Sequence, residues 1–122
     1  DTDCEAVAAF GSSTNATVAS FVNAASTIYQ SNLGITLALK AQSTQSSCSM
    51  YSSTNYNTLL ESFRSYTNSN GHLGAADTYF LFTGKDVESN VIGLAYLGVV
   101  CAAPTYSFGF FQHVNNSLDH II

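Results

Sequence analysis

The sequence predicts an α/β domain with a largely parallel sheet. Two observations carry this. Apolar residues change spacing along the chain, from a helical period to strand-like alternation and back, so that helices and strands alternate. Short runs of continuous apolar residues, bounded by glycine and polar turns, then read as strands covered on both faces. A length of 122 residues with 46% hydrophobic content supplies a core for one domain and no room for a second.

The elements follow in order. Over residues 14–30, Val18, Phe21, Val22, Ala25 and Tyr29 form a helical stripe, with Ser12, Ser13 and Thr14 offered as caps. Asn32-Leu33-Gly34 stops that helix, and Ile35, Leu37 and Leu39 alternate as one face of a strand. Residues 42–54 form a polar loop rich in Ser, Thr and Gln. Thr58 and Glu61 have capping-box spacing before a second helix carrying Leu59, Leu60, Phe63, Tyr66 and Thr67, which Asn70-Gly71 ends. Residues 79–83 read as a covered strand, and residues 83–86 as a turn. Residues 92–100 read as a strand interrupted by Gly93 and Gly98, and residues 106–111 as another after the loop at Pro104. Residues 5–10 resemble a weak strand, and Asn116 caps a helix that has barely begun at Ile122.

Composition excludes several function classes. Three basic against eight acidic residues give a net charge of −5, the wrong sign for nucleic acid or for an anionic lipid surface. No apolar run reaches the roughly 18 residues of a membrane span. Seven Tyr and eight Phe are too much core material for a disordered chain. Charged residues are only 9%, so polarity rests on seventeen Ser, twelve Thr and ten Asn, a pattern common on secreted surfaces. Asn15 and Asn115 head N-x-[ST] sequons, which glycosylation would place on the surface, although chance also produces sequons in a chain of this composition.

Cys4, Cys48 and Cys101 make an odd count. In an oxidising compartment two pair, leaving a free thiol, an intermolecular bridge or an outside partner; in the cytosol all three stay reduced. The sequons and low charge favour secretion. His72, His113 and His120 lack the i, i+4 spacing that sets two imidazoles toward one metal. No nucleophile elbow, phosphate loop or C-x-x-C is present.

One group of segments says more. Thr83-Gly-Lys-Asp86, then GLAYLGVVC from Gly93 to Cys101 and YSFGFFQ from Tyr106 to Gln112, resembles the reprolysin-type zinc metallopeptidases, the adamalysin-like branch of the metzincins. The resemblance runs back through NAASTIYQSNLGITLAL (23–39) to Asp3-Cys4 and Phe10-Gly-Ser12, in a pattern like that of the fungal members. It implies a mixed, mostly parallel twisted sheet with an antiparallel edge strand and helices packed on it. The edge strand matches residues 92–97, where Gly93, Leu94, Ala95 and Tyr96 would pair with an extended peptide substrate. The alternative is an ordinary edge strand whose glycines relieve a bulge.

The family's chemistry depends on H-E-x-x-H-x-x-G-x-x-H, whose histidines hold zinc and whose glutamate acts on the metal-bound water. The 122 residues contain no such motif. The resemblance therefore implies that residues 1–122 are one partial domain, the upper subdomain of a secreted metalloendopeptidase. This chain would supply core and substrate edge but neither a catalytic residue nor a zinc ligand, and would itself hold no zinc. It also implies a Cys4–Cys48 disulfide, with the partner of Cys101 outside the chain. The second expectation is a non-catalytic, self-assembling extracellular protein on a decayed peptidase domain, whose partner is an added strand, a second copy or the rest of the domain.

Overall fold

A computed structural model describes residues 1–70 and 76–113. The first helix, α1 (Cys4–Phe10), forms where residues 5–10 could be read as a weak strand, a reading that the family resemblance did not favour. Asp3 decides this: its carboxylate accepts the Ala6 amide at 3.0 Å as an N-cap, and the alanines that follow favour a helix. Gly11 ends α1 at φ +61°, a conformation glycine adopts without a Cβ penalty.

A single 3₁₀ turn leads into α2 (Thr14–Leu33). Ser13 makes no side-chain cap bond; instead the Thr14 hydroxyl donates to the Gly11 carbonyl at 2.7 Å, carrying the chain from one helix into the next. Thr14, Val18, Phe21 and Ala25 are its buried stripe, and left-handed Gly34 caps its end. The third helix, α3 (Tyr56–Asn70), begins before the expected capping box. Asn55 is the cap, accepting the Thr58 amide at 3.1 Å, which frees Glu61 for other partners.

Three strands form one sheet in the order β1–β3–β2: β1 (Tyr79–Thr83), β2 (Gly93–Ala95) and β3 (Phe108–Gln112). The β1–β3 pair is parallel, with Leu81 opposite Phe110, and the β2–β3 pair is antiparallel, with Leu94 opposite Phe110. The sheet is thus mixed, with β2 as an antiparallel edge. Beyond β1, Thr2 bridges Phe82 on one side and Thr44 on the other, both parallel.

Residues 35–39 are not a strand, contrary to the alternation of Ile35, Leu37 and Leu39. A strand needs a hydrogen-bonded neighbour, and among the described residues this segment has no ladder partner. The Leu37 amide is instead taken by the Ser26 hydroxyl at 2.9 Å, tying the segment to α2, with Ile35 and Leu39 exposed. The strand expected at residues 92–100 stops at Ala95. The chain turns away at Gly98, φ +65°. The helix expected after Asn116 lies outside the described residues.

Alternation along β3 sends Phe108 and Phe110 to one face and Phe111 to the other. On the first face they pack with Leu59, Leu60 and Phe63 of α3, Leu81, Val87 and Tyr51. On the second, Phe111 and Phe82 pack with Val18 and Phe21 of α2 and with Phe10. Phe80 shares that second face but is 39% exposed, so β1 is not covered along its whole length.

The expected turn at residues 83–86 is an anchor for α1. Asp3 is fully buried, and its carboxylate accepts the Thr83 hydroxyl, the Gly84 amide at 3.0 Å and the Lys85 ammonium at 3.3 Å. Lys85 also reaches Glu5 at 2.7 Å. Position 84 must be glycine: a Cβ there would lie 2.5 Å from the Ala6 nitrogen. Cys4 on α1 is joined to Cys48 by a disulfide with Cα atoms 5.2 Å apart, fixing the polar loop to the same corner.

Candidate functional site: the open edge of the sheet

Hydrogen bonding fixes the orientation of β2. The Gln112 amide donates to the Ile92 carbonyl at 2.7 Å, and the Tyr96 amide to the Phe108 carbonyl at 3.4 Å. Backbone groups alternate along an antiparallel strand, so those of Ile92, Leu94 and Tyr96 face β3 while those of Gly93 and Ala95 face outward. Among the described residues no strand pairs with this side, so the edge offers one donor and one acceptor from each of two residues.

Side chains alternate in the same way. Leu94 and Tyr96 pack against the α3-side core, half-buried. Gly93 and Ala95 lie on the other face, beside a shallow depression of about 300 Å³ that Phe80 and Phe111 also line, its exposed surface as much polar as apolar. Small residues keep it open. A Cβ on Gly109 would sit 2.6 Å from the Phe80 ring and 3.0 Å from the Ala95 Cβ, and one on Gly93 would sit 3.1 Å from the Phe110 carbonyl oxygen. A side chain at 93 would thus require its own sheet to give by a few tenths of an ångström before any partner approaches.

Behind the edge lies a polar cluster that sequence reasoning missed. The Tyr96 hydroxyl donates to the Glu61 carboxylate, which also holds the Arg64 guanidinium at 3.0 Å. Arg64 stacks 4.2 Å over the Tyr106 ring and reaches the Thr105 carbonyl at 3.4 Å. The Tyr96 hydrogen bond and then Arg64 hold the Glu61 carboxyl below its usual range, and burial raises Tyr96. The signal was the i, i+3 Glu–Arg spacing, hidden because Glu61 also fitted a capping box.

The remaining candidates are scattered. The Cys101 thiol is free and exposed, in a turn at φ +64°. Asn15 is exposed in the first turn of α2, and Asn115 lies outside the described residues. His113 is ringed by Phe10 and Phe21, with centroids 4.6 and 6.3 Å away; His72 and His120 lie outside the described residues. Cys4, Glu5 and Cys48 place three ligand-type atoms within 4.8 Å. Both sulfurs there are spent on the disulfide, so no thiolate is available and this set does not fit a zinc ion. Among the described residues, no helix is long and apolar enough to cross a membrane.

Comparison with curated proteins finds no match. Comparison with protein families finds one, Reprolysin_5, described as metallo-peptidase family M12, over residues 1–120. With that match spanning nearly every residue of a mixed sheet edged by an open antiparallel strand, the chain belongs to the M12 family of zinc metallopeptidases.

Proposed function

We propose that this chain is the upper-subdomain part of a secreted zinc metalloendopeptidase of fungal type, and that β2 binds the extended peptide to be cut. The parent reaction is hydrolysis of a peptide bond by zinc-activated water. Zinc ligands and the catalytic glutamate come from outside residues 1–122, and this chain alone is inactive. The Cys4–Cys48 disulfide and the low charge support an oxidising, extracellular setting, with Asn15 and Asn115 as glycosylation sites and Cys101 awaiting an external cysteine.

One observation carries the reading: the backbone groups of Gly93 and Ala95 face outward beside a shallow depression. An added strand pairs with such groups about 4.8 Å away and lays alternate side chains over the depression. Hydrogen exchange with a hexapeptide of alternating threonine and valine is the test. The amides of Gly93 and Ala95 slow by about tenfold when the peptide pairs, while those already bonded to β3 change little. Equal exchange in both states overturns substrate pairing at this edge.

The second reading is self-assembly, with the same edge taking a strand from another copy. Leu97, 92% exposed, and Val100, 54% exposed, project from the loop after β2 and favour it. Sedimentation showing a monodisperse monomer at low micromolar concentration overturns this reading.

A further inference from the structure

The edge strand is short, and its hold on the sheet is thin. It has three ladder residues, and the bond that closes its ladder, from the Tyr96 amide to the Phe108 carbonyl, is 3.4 Å long. Residues 97–105 then leave the sheet and return, so β2 has no covalent neighbour in the core on that side. Besides the packing of Leu94 and Tyr96, polar contacts past its end help fix where it lies.

We propose that Glu61 and Arg64 form a latch on α3 that positions β2 for peptide pairing without touching the peptide. The latch grips both ends of the 97–105 connection. At the start, Glu61 accepts the Tyr96 hydroxyl. At the end, Arg64 covers the Tyr106 ring and donates to the Thr105 carbonyl, which also accepts from Asn68 at 3.1 Å. The two halves meet twice, through the Glu61–Arg64 ion pair and through the Tyr96 and Tyr106 rings, edge to face at 5.3 Å. The guanidinium is what allows one side chain to serve a carboxylate, a carbonyl and an aromatic face at once.

The titratable and charged groups facing Glu61 are Tyr96, just past β2, and Arg64 on its own helix; Tyr106 from the returning turn acts on Arg64. The Glu61 carboxyl sits below its ordinary range, so the latch stays closed above that range and opens as pH falls through the lowered value. The inference rests on the peptide-pairing reading, but its first test does not need a peptide.

That test is hydrogen exchange on the free chain. Arg64→Ala speeds exchange at Leu94 and Tyr96 by about tenfold and leaves Leu81 and Phe82 of β1 unchanged, because those strands are held by other partners. Tyr96→Phe, which removes one hydroxyl and keeps the ring, does the same more mildly and serves if Arg64→Ala does not fold. Wild-type exchange at Tyr96, corrected for the intrinsic rate, accelerates below the carboxylate range. Glu61→Gln keeps an acceptor without the charge and flattens that response. Unchanged exchange at Leu94 and Tyr96 in both Arg64→Ala and Tyr96→Phe overturns the latch, whatever peptides do. Fluorescence anisotropy with the labelled threonine–valine hexapeptide reads the consequence: Arg64→Ala weakens binding by about tenfold. A wild-type chain that shows the exchange effects but binds no hexapeptide keeps the latch and overturns the peptide-pairing reading alone.

Discussion

Lys85 is one of three basic residues in the chain, and it is buried. Its ammonium lies between Asp3 and Glu5, and the Asp3 carboxylate is satisfied by two backbone amides and a hydroxyl besides. A buried charge pair costs much to desolvate, so its net worth is modest, but removing one member strands the other. Lys85→Met therefore destabilises by about 3 kcal/mol in urea unfolding, and Asp3→Ala by more, since it also removes the α1 cap. The double variant costs less than the two single costs added, because the stranded charge is gone. Strict additivity would mean that Asp3 and Lys85 do not act as one unit. Glycine 84 belongs to the same anchor: the start of α1 lies against its bare Cα.

At the scale of elements, Ala95 is the position where the edge can be blocked without damage to the ladder. Its amide faces away from β3, so Ala95→Pro removes a donor that the sheet does not use. Pairing with an added strand is lost, while urea unfolding moves by less than about 1 kcal/mol. Loss of protection at Phe110 and Leu81 in this variant would show that residue 95 also supports the interior strands. The long elements were legible in the sequence because each buries one stripe: Val18, Phe21 and Ala25 on α2, and Leu59, Leu60 and Phe63 on α3. Phe108, Phe110 and Phe111 likewise marked β3. Helix α1, seven residues long, is too short for periodicity to register, and its signals are the Asp3 cap and Gly11. Residues 35–39 carried a strand pattern, but pairing is a property of two segments and one pattern cannot report it. The site divides in the same way. The antiparallel edge strand at Gly93–Ala95 was legible through the family resemblance, whereas the cluster of Glu61, Arg64 and Tyr96 depends on a helix face meeting a segment more than thirty residues away.

At the scale of the whole molecule, residues 1–3 tie several distant segments together. The Asp1 carboxylate accepts from Ser43, Gln45 and Tyr51, and its amine donates to the Phe80 carbonyl at 2.7 Å, as a strand amide would. Residues 1–3 thereby join β1, the polar loop and, through Cys4–Cys48, the start of α1. The corner makes a prediction about pH. Where the chain starts at Asp1 without acetylation, burial lowers its amine from 8.0 to about 5. Above pH 8 the amine is neutral folded and unfolded, and it contributes no pH dependence. Between pH 8 and 5 the unfolded chain binds a proton that the folded chain refuses, so stability falls as pH falls and levels off below about 5. The drop amounts to roughly 2–4 kcal/mol, set by a shift of about three units at 1.36 kcal/mol each and reduced where solvent reaches the amine. The comparison is with the chain acetylated at Asp1, in which every other group is unchanged and the amine is gone. Urea unfolding of the two forms diverges from pH 8 down to 5, the unacetylated form becoming the less stable. Parallel curves through that window would show that the Asp1 amine keeps its proton in the folded chain, and that the bond to Phe80 is made by a charged group.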